Sequence, residues 1–323
     1  MESRTEAATV TLPPKLKVKK PSLMQSLRKY WVFYLMMLPT FVFLIINNYM
    51  PMFGLIVAFK NYNLMEGFWG SPWNGVKNFE YLFKTKDAWI ITRNTILYNF
   101  TFIALNLIVP ITFALLMNEL RNRFFAKVHQ TFMFLPYFLS PIVLSYAVFA
   151  FIGDYGFVNT TLLPAFGLEK IQFYFETKWW PYILPLVNTW KSLPYYAVIY
   201  MSAMLSIDEE YYEAATIDGA SKWRQMRSIT LPLIVPVIVI MVLLQVGRVM
   251  FADFGLFYLV PRESGMLFDV TNVIDTYVYR TFLVFGDLGL SVAASFYQAV
   301  VGFVLVFGSN LIVRKINKEN ALF

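Results

Sequence analysis

The sequence predicts an all-α membrane protein with six transmembrane helices and a polar helical segment between the fourth and the fifth. Three observations lead to this fold class. Hydrophobic residues make up 58% of the 323 residues and charged residues only 15%, which is typical of an integral membrane protein. The apolar residues fall in runs of membrane-crossing length. The basic residues are unevenly distributed between the segments that separate these runs.

Six apolar runs are each close to the roughly 20 residues that cross the hydrocarbon core of a bilayer. We predict spans at about 31–47, 94–117, 131–152, 182–205, 231–251 and 290–313. No small-residue cleavage site follows the first run, which indicates an uncleaved span rather than a signal peptide. Several runs contain Pro, Asn or Gln, and such breaks are tolerated only where protein or a water-filled cavity receives the freed polar groups.

The distribution of Lys and Arg predicts that both termini are cytoplasmic. The segments predicted inside (1–30, 118–130, 206–229 and 314–323) carry 16 of these residues, and the longer segments predicted outside (50–88, 153–180 and 253–287) carry 8. This is the positive-inside bias. It explains the net charge of +7 without a nucleic-acid partner.

Four parts of the chain follow from this arrangement. The first is a basic cytoplasmic tail at 1–30, and the second is the first span with its outer loop at 31–89. The third is a core at 90–313 that contains a polar loop at 206–229, and the fourth is a cytoplasmic C-terminus at 314–323.

Residue types that carry catalysis are scarce. The chain has no cysteine, which excludes disulfides and zinc–thiolate sites, and it has no G-x-x-x-x-G-K-[ST] or H-E-x-x-H motif. Four acids are scattered through the third outer segment, and we predict that they are solvated rather than metal-binding: Asp253, Asp269, Asp275 and Asp287. We therefore expect no metal, no bound cofactor and no catalytic site on this chain alone.

The polar loop at 206–229 predicts two short helices and a break. Ser206 or Asp208 is a suitable cap for the first helix, and the acids that follow favour its positive end. Gly219 suits the left-handed residue that ends a helix, and Ser221 suits the cap of the next. Residues 230–232, Thr-Leu-Pro, predict the start of a third helix, because proline is tolerated near a helix start.

This loop resembles the EAA loop of bacterial ABC-importer permeases, whose pattern is roughly E-A-A-x-x-D-G-A followed by I-x-L-P. Every fixed position is met, by Glu213, Ala214, Ala215, Asp218, Gly219, Ala220, Ile229, Leu231 and Pro232. The resemblance implies a type I importer permease in which a cytoplasmic coupling helix docks into a cleft of an ATP-hydrolysing subunit. The alternative is an ordinary amphipathic helical hairpin between two spans, with no coupling role.

Further short sequence segments resemble the corresponding segments of one carbohydrate-importer subfamily, which includes the permeases of alginate importers. They lie at 51–60, 70–75, 93–95, 118–120 and 135–136, and the similarity runs from about residue 25 to the C-terminus. The resemblance implies a multi-pass protein of the bacterial cytoplasmic membrane. The implied partners are membrane lipid, a second permease, two ATP-binding subunits that hold ATP-Mg, and an extracytoplasmic solute-binding protein.

Polar residues within the spans that flank the loop are candidates for a substrate path, because such groups are costly in a membrane and usually face a cavity. In the fourth span they share one helical face, and in the fifth they lie three residues apart. The candidates are Asn188, Lys191, Ser192, Tyr195, Gln245 and Arg248. Asn94, Asn99 and Asn106 on the second span are weaker candidates, which instead suit hydrogen bonds between helices.

Two cations with no evident acid in the same spans favour an anionic cargo such as a uronate oligosaccharide. Alternatively, Lys191 and Arg248 reach the membrane surface or pair with a partner subunit.

Two other function classes stay open from the sequence. An ATP-independent secondary transporter or channel for sugars would need an acid at mid-membrane for ion coupling, and none is convincing. A membrane enzyme would need a cluster of acids or histidines at one membrane face, and none stands out.

Overall fold

A computed structural model describes residues 23–119 and 123–316, and within these residues the protein is helical with no β-strand. Ten helices of eight residues or more occur in this part. They are α1 (Leu23–Leu44), α2 (Lys77–Lys84), α3 (Lys86–Asn118), α4 (Arg123–Phe138), α5 (Pro141–Ile152), α6 (Trp180–Leu205), α7 (Glu209–Ile217), α8 (Leu231–Val246), α9 (Ile274–Leu283) and α10 (Leu288–Ile316). Shorter helical segments lie at Ile45–Tyr49, Met50–Met52, Phe53–Phe59, Gly67–Gly70, Val158–Leu162, Leu163–Ala165, Thr177–Trp179, Lys222–Gln225, Met226–Thr230, Gly255–Leu259, Gly265–Leu267 and Phe268–Thr271.

The chain divides into two compact units, and the first is Met1–Gly54. Most of the predicted basic tail, residues 1–22, lies outside the described part. Helix α1 is kinked at Tyr30, whose φ of −114° departs from helical geometry, and it contains Pro39. The side chains described in this unit are exposed, although most are apolar. A helix that is apolar on all faces is typical of a segment surrounded by lipid or by other membrane helices.

The second unit is Leu55–Phe323. Across the described chain, four helical stretches are long and apolar enough to cross a membrane: Leu27–Phe59, Lys86–Asn118, Lys222–Val246 and Leu288–Lys315. Helix α6 has 26 residues but is not among them, because Asn188, Lys191 and Ser192 lower its apolar content. The six spans therefore remain a prediction.

The predicted span at 131–152 is not one straight helix. The stretch Gln130–Phe138 and helix α5 meet at an angle of 107°, so this region is a broken span or a re-entrant loop. The break has a local cause, since Ser140 precedes Pro141 and a residue before proline is pushed out of the helical conformation. Ser140 has extended geometry and caps α5 by accepting a hydrogen bond from the Val143 N–H at 3.3 Å.

Helix α3 supports the packing of the second unit, because it contributes to three buried clusters along its length. Ile91 packs in a cluster with residues of α9 and α10. Tyr98 and Phe102 pack with Phe257 and with the first half of α6, and Ala114 packs in a cluster with α6 and α8. Close packing of this kind and hydrogen bonds between helices, rather than exclusion of water, hold helices together in a bilayer.

Helix α8 ends at Val246, five residues before the predicted end of the fifth span, and a turn and a non-helical segment follow it. Other helices bind the backbone groups freed by this break. Gln298 Nε2 on α10 donates to the Met250 carbonyl at 2.7 Å, and the Ala252 N–H donates to Asp275 Oδ2 on α9 at 2.8 Å. Such partners are what allow irregular backbone at membrane depth.

Candidate functional site

A cavity of about 820 Å³ lies between α3, α6, α8 and the irregular segment after α8. Four of the six predicted path residues line it: Asn188, Tyr195, Gln245 and Arg248. The other two, Lys191 and Ser192, hydrogen-bond residues that line it. The structure thus brings the two flanking helices of the polar loop together around one cavity.

A hydrogen-bond network joins three helices at the cavity wall. Ser192 on α6 donates to Asn106 Oδ1 on α3 at 2.7 Å, and Asn106 Nδ2 donates to Gln245 Oε1 on α8 at 3.2 Å. Asn188 Nδ2 is buried without a hydrogen-bond partner among the described residues. Both N–H donors of this amide therefore lack a partner among the described residues.

Lys191 forms an ion pair that the sequence analysis did not anticipate. Its Nζ lies 3.0 Å from Asp253 Oδ2, and the two side chains are 22% and 39% exposed. Asp253 was predicted to be solvated in the third outer segment, but its carboxylate lines the cavity. Lys191 therefore has an acidic partner, which lies just beyond the predicted fifth span rather than within the spans.

Arg248 lies in the turn that follows α8, not on a continuing helix as predicted. Its side chain is exposed and lines the cavity, and no hydrogen bond or ion pair joins it to another described residue. An arginine carries five donors and is always protonated, so this wall of the cavity is electropositive.

Aromatic rings form a further part of the wall. Tyr195 stacks on Tyr137 of α4, with ring centroids 6.1 Å apart and planes at 9°, and it meets Tyr196 edge to face at 5.2 Å. Tyr195 is 45% exposed, so part of its ring is free to meet a cargo. An amphipathic ring of this kind combines an apolar face with a hydroxyl group.

Of the other acids in the third outer segment, Asp275 and Asp287 accept hydrogen bonds, whereas Asp269 is exposed and its carboxylate has no described partner. Asp275 is partly buried, and burial raises the pKa of its carboxyl above the ordinary value although the Ala252 N–H and Gln298 oppose this. Asp287 caps α10 by accepting from the Leu290 N–H at 2.8 Å. Among the described residues no group of three or more His, Asp or Glu is placed to hold a metal.

Of the weaker candidates, Asn94 and Asn106 do hydrogen-bond between elements. Asn94 Nδ2 donates to the carbonyls of Asp269 and Asn272, at 3.1 and 2.9 Å. Asn99 lines the cavity, but its amide donates to Thr95 O on its own helix at 2.9 Å.

The polar loop at 206–229 forms a helical hairpin, and most of its predicted caps are present. Asp208 caps α7 by accepting from the Glu210 N–H at 3.3 Å, whereas Ser206 donates to the Ala203 carbonyl instead. Gly219 has a φ of +76°, in the left-handed region, as predicted. Ser221 caps Lys222–Gln225, with the Arg224 N–H as donor at 3.4 Å.

Helix α8 begins at Leu231 with Pro232 in its first turn, as predicted, but no break separates it from the segment before it. The chain is helical without interruption from Lys222 to Val246, with a wider turn at Met226–Thr230. Thr230 accepts from, or donates to, the Tyr212 hydroxyl at 2.9 Å. Gln225 Nε2, which is buried, donates to Thr216 Oγ1 at 3.0 Å and to the Ala220 carbonyl at 3.2 Å. These bonds tie the two arms of the hairpin together.

A groove of about 920 Å³ runs along the hairpin. It is lined by Glu209, Tyr212 and Glu213 of α7, by Lys222 of the second arm, and by the end of α3. Glu213 and Asp218 are exposed, as are Ala214 and Gly219. The motif residues therefore include exposed carboxylates and exposed small residues.

Comparison with known proteins identifies the family. The model of the family described as binding-protein-dependent transport system inner membrane component matches residues 108–318, which include the whole hairpin and most of the cavity. The chain belongs to this family.

Similar curated proteins and a solved structure support the same family assignment. The Bacillus subtilis polygalacturonan/rhamnogalacturonan transport system permease protein YteP is 34% identical over 94% of this chain and 94% of its own length. Protein LplB of the same species is 32% identical over 92% and 93%. A crystal structure of a bacterial ABC transporter involved in the import of the acidic polysaccharide alginate contains a chain that superimposes with a TM-score of 0.84 at 30% identity, covering 92% of this chain and all of that one.

These matches confirm the predicted importer-permease family and its resemblance to carbohydrate-uptake members. The permease is an inner-membrane transport subunit rather than an enzyme, as its relatives are. The alginate transporter is also described in complex with a periplasmic protein that holds an alginate pentasaccharide, which fits a binding-protein-dependent system.

Proposed function

We propose that this permease forms half of the translocation path of an ATP-driven importer for acidic oligosaccharides or polysaccharide fragments. It would pair with a second permease and receive cargo from an extracytoplasmic binding protein. Two ATP-binding subunits would dock on the EAA hairpins from the cytoplasm, where both termini would lie.

The observation that carries the proposal is Arg248 in the wall of the cavity. Exposing an arginine with no described partner inside a membrane protein is costly, and such residues usually mark a path for a ligand of opposite charge. A uronate carboxylate is a suitable partner, because a planar guanidinium binds a carboxylate through two parallel hydrogen bonds.

The remaining cavity wall supports a sugar as cargo. Asn188 lines the cavity, and its buried, unpartnered Nδ2 would donate to a cargo hydroxyl that reaches it. The exposed ring of Tyr195 offers a face to the apolar side of a pyranose. The names of the similar proteins, which refer to polygalacturonan, rhamnogalacturonan and alginate, favour the same class of acidic glycan.

The shape of the hairpin supports coupling to an ATPase. Its arms are tied by the Tyr212–Thr230 and Gln225–Thr216 bonds, so a force applied at α7 would pass to α8 and reach the cavity at Gln245. Glu213 would anchor the hairpin in the ATPase by a charged hydrogen bond, and Ala214, Ala215 and Ala220 would allow close approach. Closure of the ATPase dimer would then open the path outward.

Uptake by reconstituted transporter tests the proposal. Vesicles that contain the full complex, with ATP inside and binding protein outside, should accumulate a labelled oligogalacturonate and much less of its carboxyl-reduced, neutral counterpart. Equal uptake of both would contradict the acidic cargo. Uptake by vesicles that contain this chain without ATP-binding subunits would contradict the ATP-driven mechanism and favour secondary transport.

A further inference from the structure

We propose that the Lys191–Asp253 pair is a charge filter, in which a cargo carboxylate replaces Asp253 as the partner of Lys191. The inference rests on the proposed acidic cargo and names the residues that would distinguish a charged cargo from a neutral one. Asp253 then acts as an internal competitor for the cargo, and Lys191 as a second cationic contact besides Arg248.

The position of the pair suits this exchange. Asp253 lines the cavity, whereas Lys191 approaches it from α6 and bonds the Oδ2 atom of the carboxylate at 3.0 Å. A carboxylate that enters the cavity therefore meets Asp253 first and the ammonium directly beyond it. Both side chains are partly exposed, so neither charge is sealed from solvent or from a ligand.

Asp253 keeps a binding partner when Lys191 leaves it. Its other oxygen, Oδ1, accepts from the N–H of Leu256, in the helical turn Gly255–Leu259, at 3.1 Å. Removing one member of a paired charge usually leaves the other uncompensated, which is strongly unfavourable. Here the exchange substitutes one carboxylate for another on Lys191, and a neutral sugar hydroxyl cannot make that substitution.

The ion pair is also not the only tie that holds the irregular segment after α8. The Met250 carbonyl is bound by Gln298, and the Ala252 N–H by Asp275. The segment therefore has attachments on either side of Asp253 that do not involve Lys191. This arrangement leaves the pair free to act on cargo rather than serving solely to fasten the backbone.

Binding measurements on the purified full complex, without binding protein, test the filter. The probes are a fluorescently end-labelled oligogalacturonate and its carboxyl-reduced counterpart of the same length. For the acidic probe, Asp253→Asn should tighten binding and Lys191→Met should weaken it, each by roughly 3- to 10-fold. The double variant should behave like Lys191→Met, and binding of the neutral probe should change little in any variant.

The control is Asp154→Asn, which makes the same chemical change in the outer-segment pair Lys170–Asp154, whose side chains are 46% and 47% exposed. It should leave the binding of both probes unchanged. If Asp253→Asn and Lys191→Met changed the affinity for the acidic probe in the same direction, the ion pair would have only a structural role. The same conclusion would follow if either variant changed the affinities for both probes equally, and either result would overturn the charge filter. A wild-type complex that binds both probes equally, or neither, would instead contradict the acidic cargo itself.

Discussion

The coupling hairpin and the cavity are both polar regions of an apolar chain, but they are assembled in opposite ways. The hairpin is tied by bonds between residues 9 and 18 positions apart, Thr216–Gln225 and Tyr212–Thr230. The cavity is tied by bonds that span 62 to 139 positions, from Lys191–Asp253 to Asn106–Gln245. A locally bonded element is able to move as one body, whereas a site built from distant helices changes whenever those helices shift. Changes in the hairpin should therefore alter coupling without altering cargo preference, and changes in the cavity should do the reverse.

The largest effect is expected from Glu213→Lys in the hairpin. Reversing a charge that contacts a partner commonly costs about 2–5 kcal/mol, so cargo-stimulated ATP hydrolysis should fall by more than about tenfold. The cargo preference of the remaining activity should stay unchanged. Glu210→Lys is the matched control, since Glu210 is exposed on the same helix but does not line the groove. Equal stimulation in wild type and Glu213→Lys would contradict the coupling role.

Arg248→Gln, in the cavity, should change cargo preference and leave basal ATP hydrolysis unchanged. A hydrogen bond to a charged group is worth about 1.5–3 kcal/mol, so the preference for acidic over carboxyl-reduced oligosaccharide should fall roughly tenfold. ATP hydrolysis in the absence of cargo should not change. Lys84→Gln, at an exposed outer-segment site paired with Glu80, controls for loss of one positive charge. A preference that survives Arg248→Gln would indicate that another cation selects the cargo.

Gly219→Ala should have a smaller effect, confined to the hairpin. A Cβ at Gly219 meets no atom within 4 Å, but its φ of +76° is unfavourable for alanine by about 1–2 kcal/mol. Gly308→Ala is the control, because a Cβ there also meets nothing within 4 Å and the residue lies inside helix α10. Thermal unfolding in detergent should show a lower midpoint only for Gly219→Ala, together with weaker coupling. Equal unfolding midpoints for Gly219→Ala and Gly308→Ala would mean that the left-handed conformation at Gly219 does not contribute to stability.

The smallest effect is expected from Asn106→Ala, which removes the side chain shared by Ser192 and Gln245. Hydrogen bonds between membrane helices average about 0.6 kcal/mol and reach about 1.7 kcal/mol, so the unfolding midpoint should fall modestly. Asn99→Ala is the control, because its amide bonds a carbonyl of its own helix. Midpoints that fall equally in both variants would contradict a special role for the network that joins three helices.

The same contrast explains what could be predicted from the sequence. The caps at Asp208 and Ser221 and the left-handed Gly219 depend on residues within one or two turns, and the structure contains all three. The uninterrupted helix through Thr230 was not predicted, because Pro232 was taken as a starting signal. Its fixed φ is also compatible with the wide turn that precedes it.

The partners of Lys191 and of the Met250 carbonyl could not be predicted, because they depend on how distant segments pack. Asp253 follows Lys191 by 62 positions, and Gln298 follows Met250 by 48. The break at Ser140 did have a local signal in the proline that follows it, and Gly247 lies directly after the end of α8. Weighing these two signals would have shortened the predicted fifth span and divided the third.

Cysteine labelling and cross-linking at the hairpin test the central claim most directly, since the chain has no cysteine of its own. Ile217→Cys places one thiol at a hairpin residue that is 87% exposed, and Leu64→Cys places one on the first outer segment at a residue that is 81% exposed. In right-side-out vesicles, a membrane-impermeant maleimide should label Leu64→Cys but not Ile217→Cys. In the assembled complex, a thiol-reactive photocrosslinker on Ile217→Cys should capture the ATP-binding subunit. External labelling of Ile217→Cys, or no capture of that subunit, would contradict a hairpin that couples this permease to an ATPase.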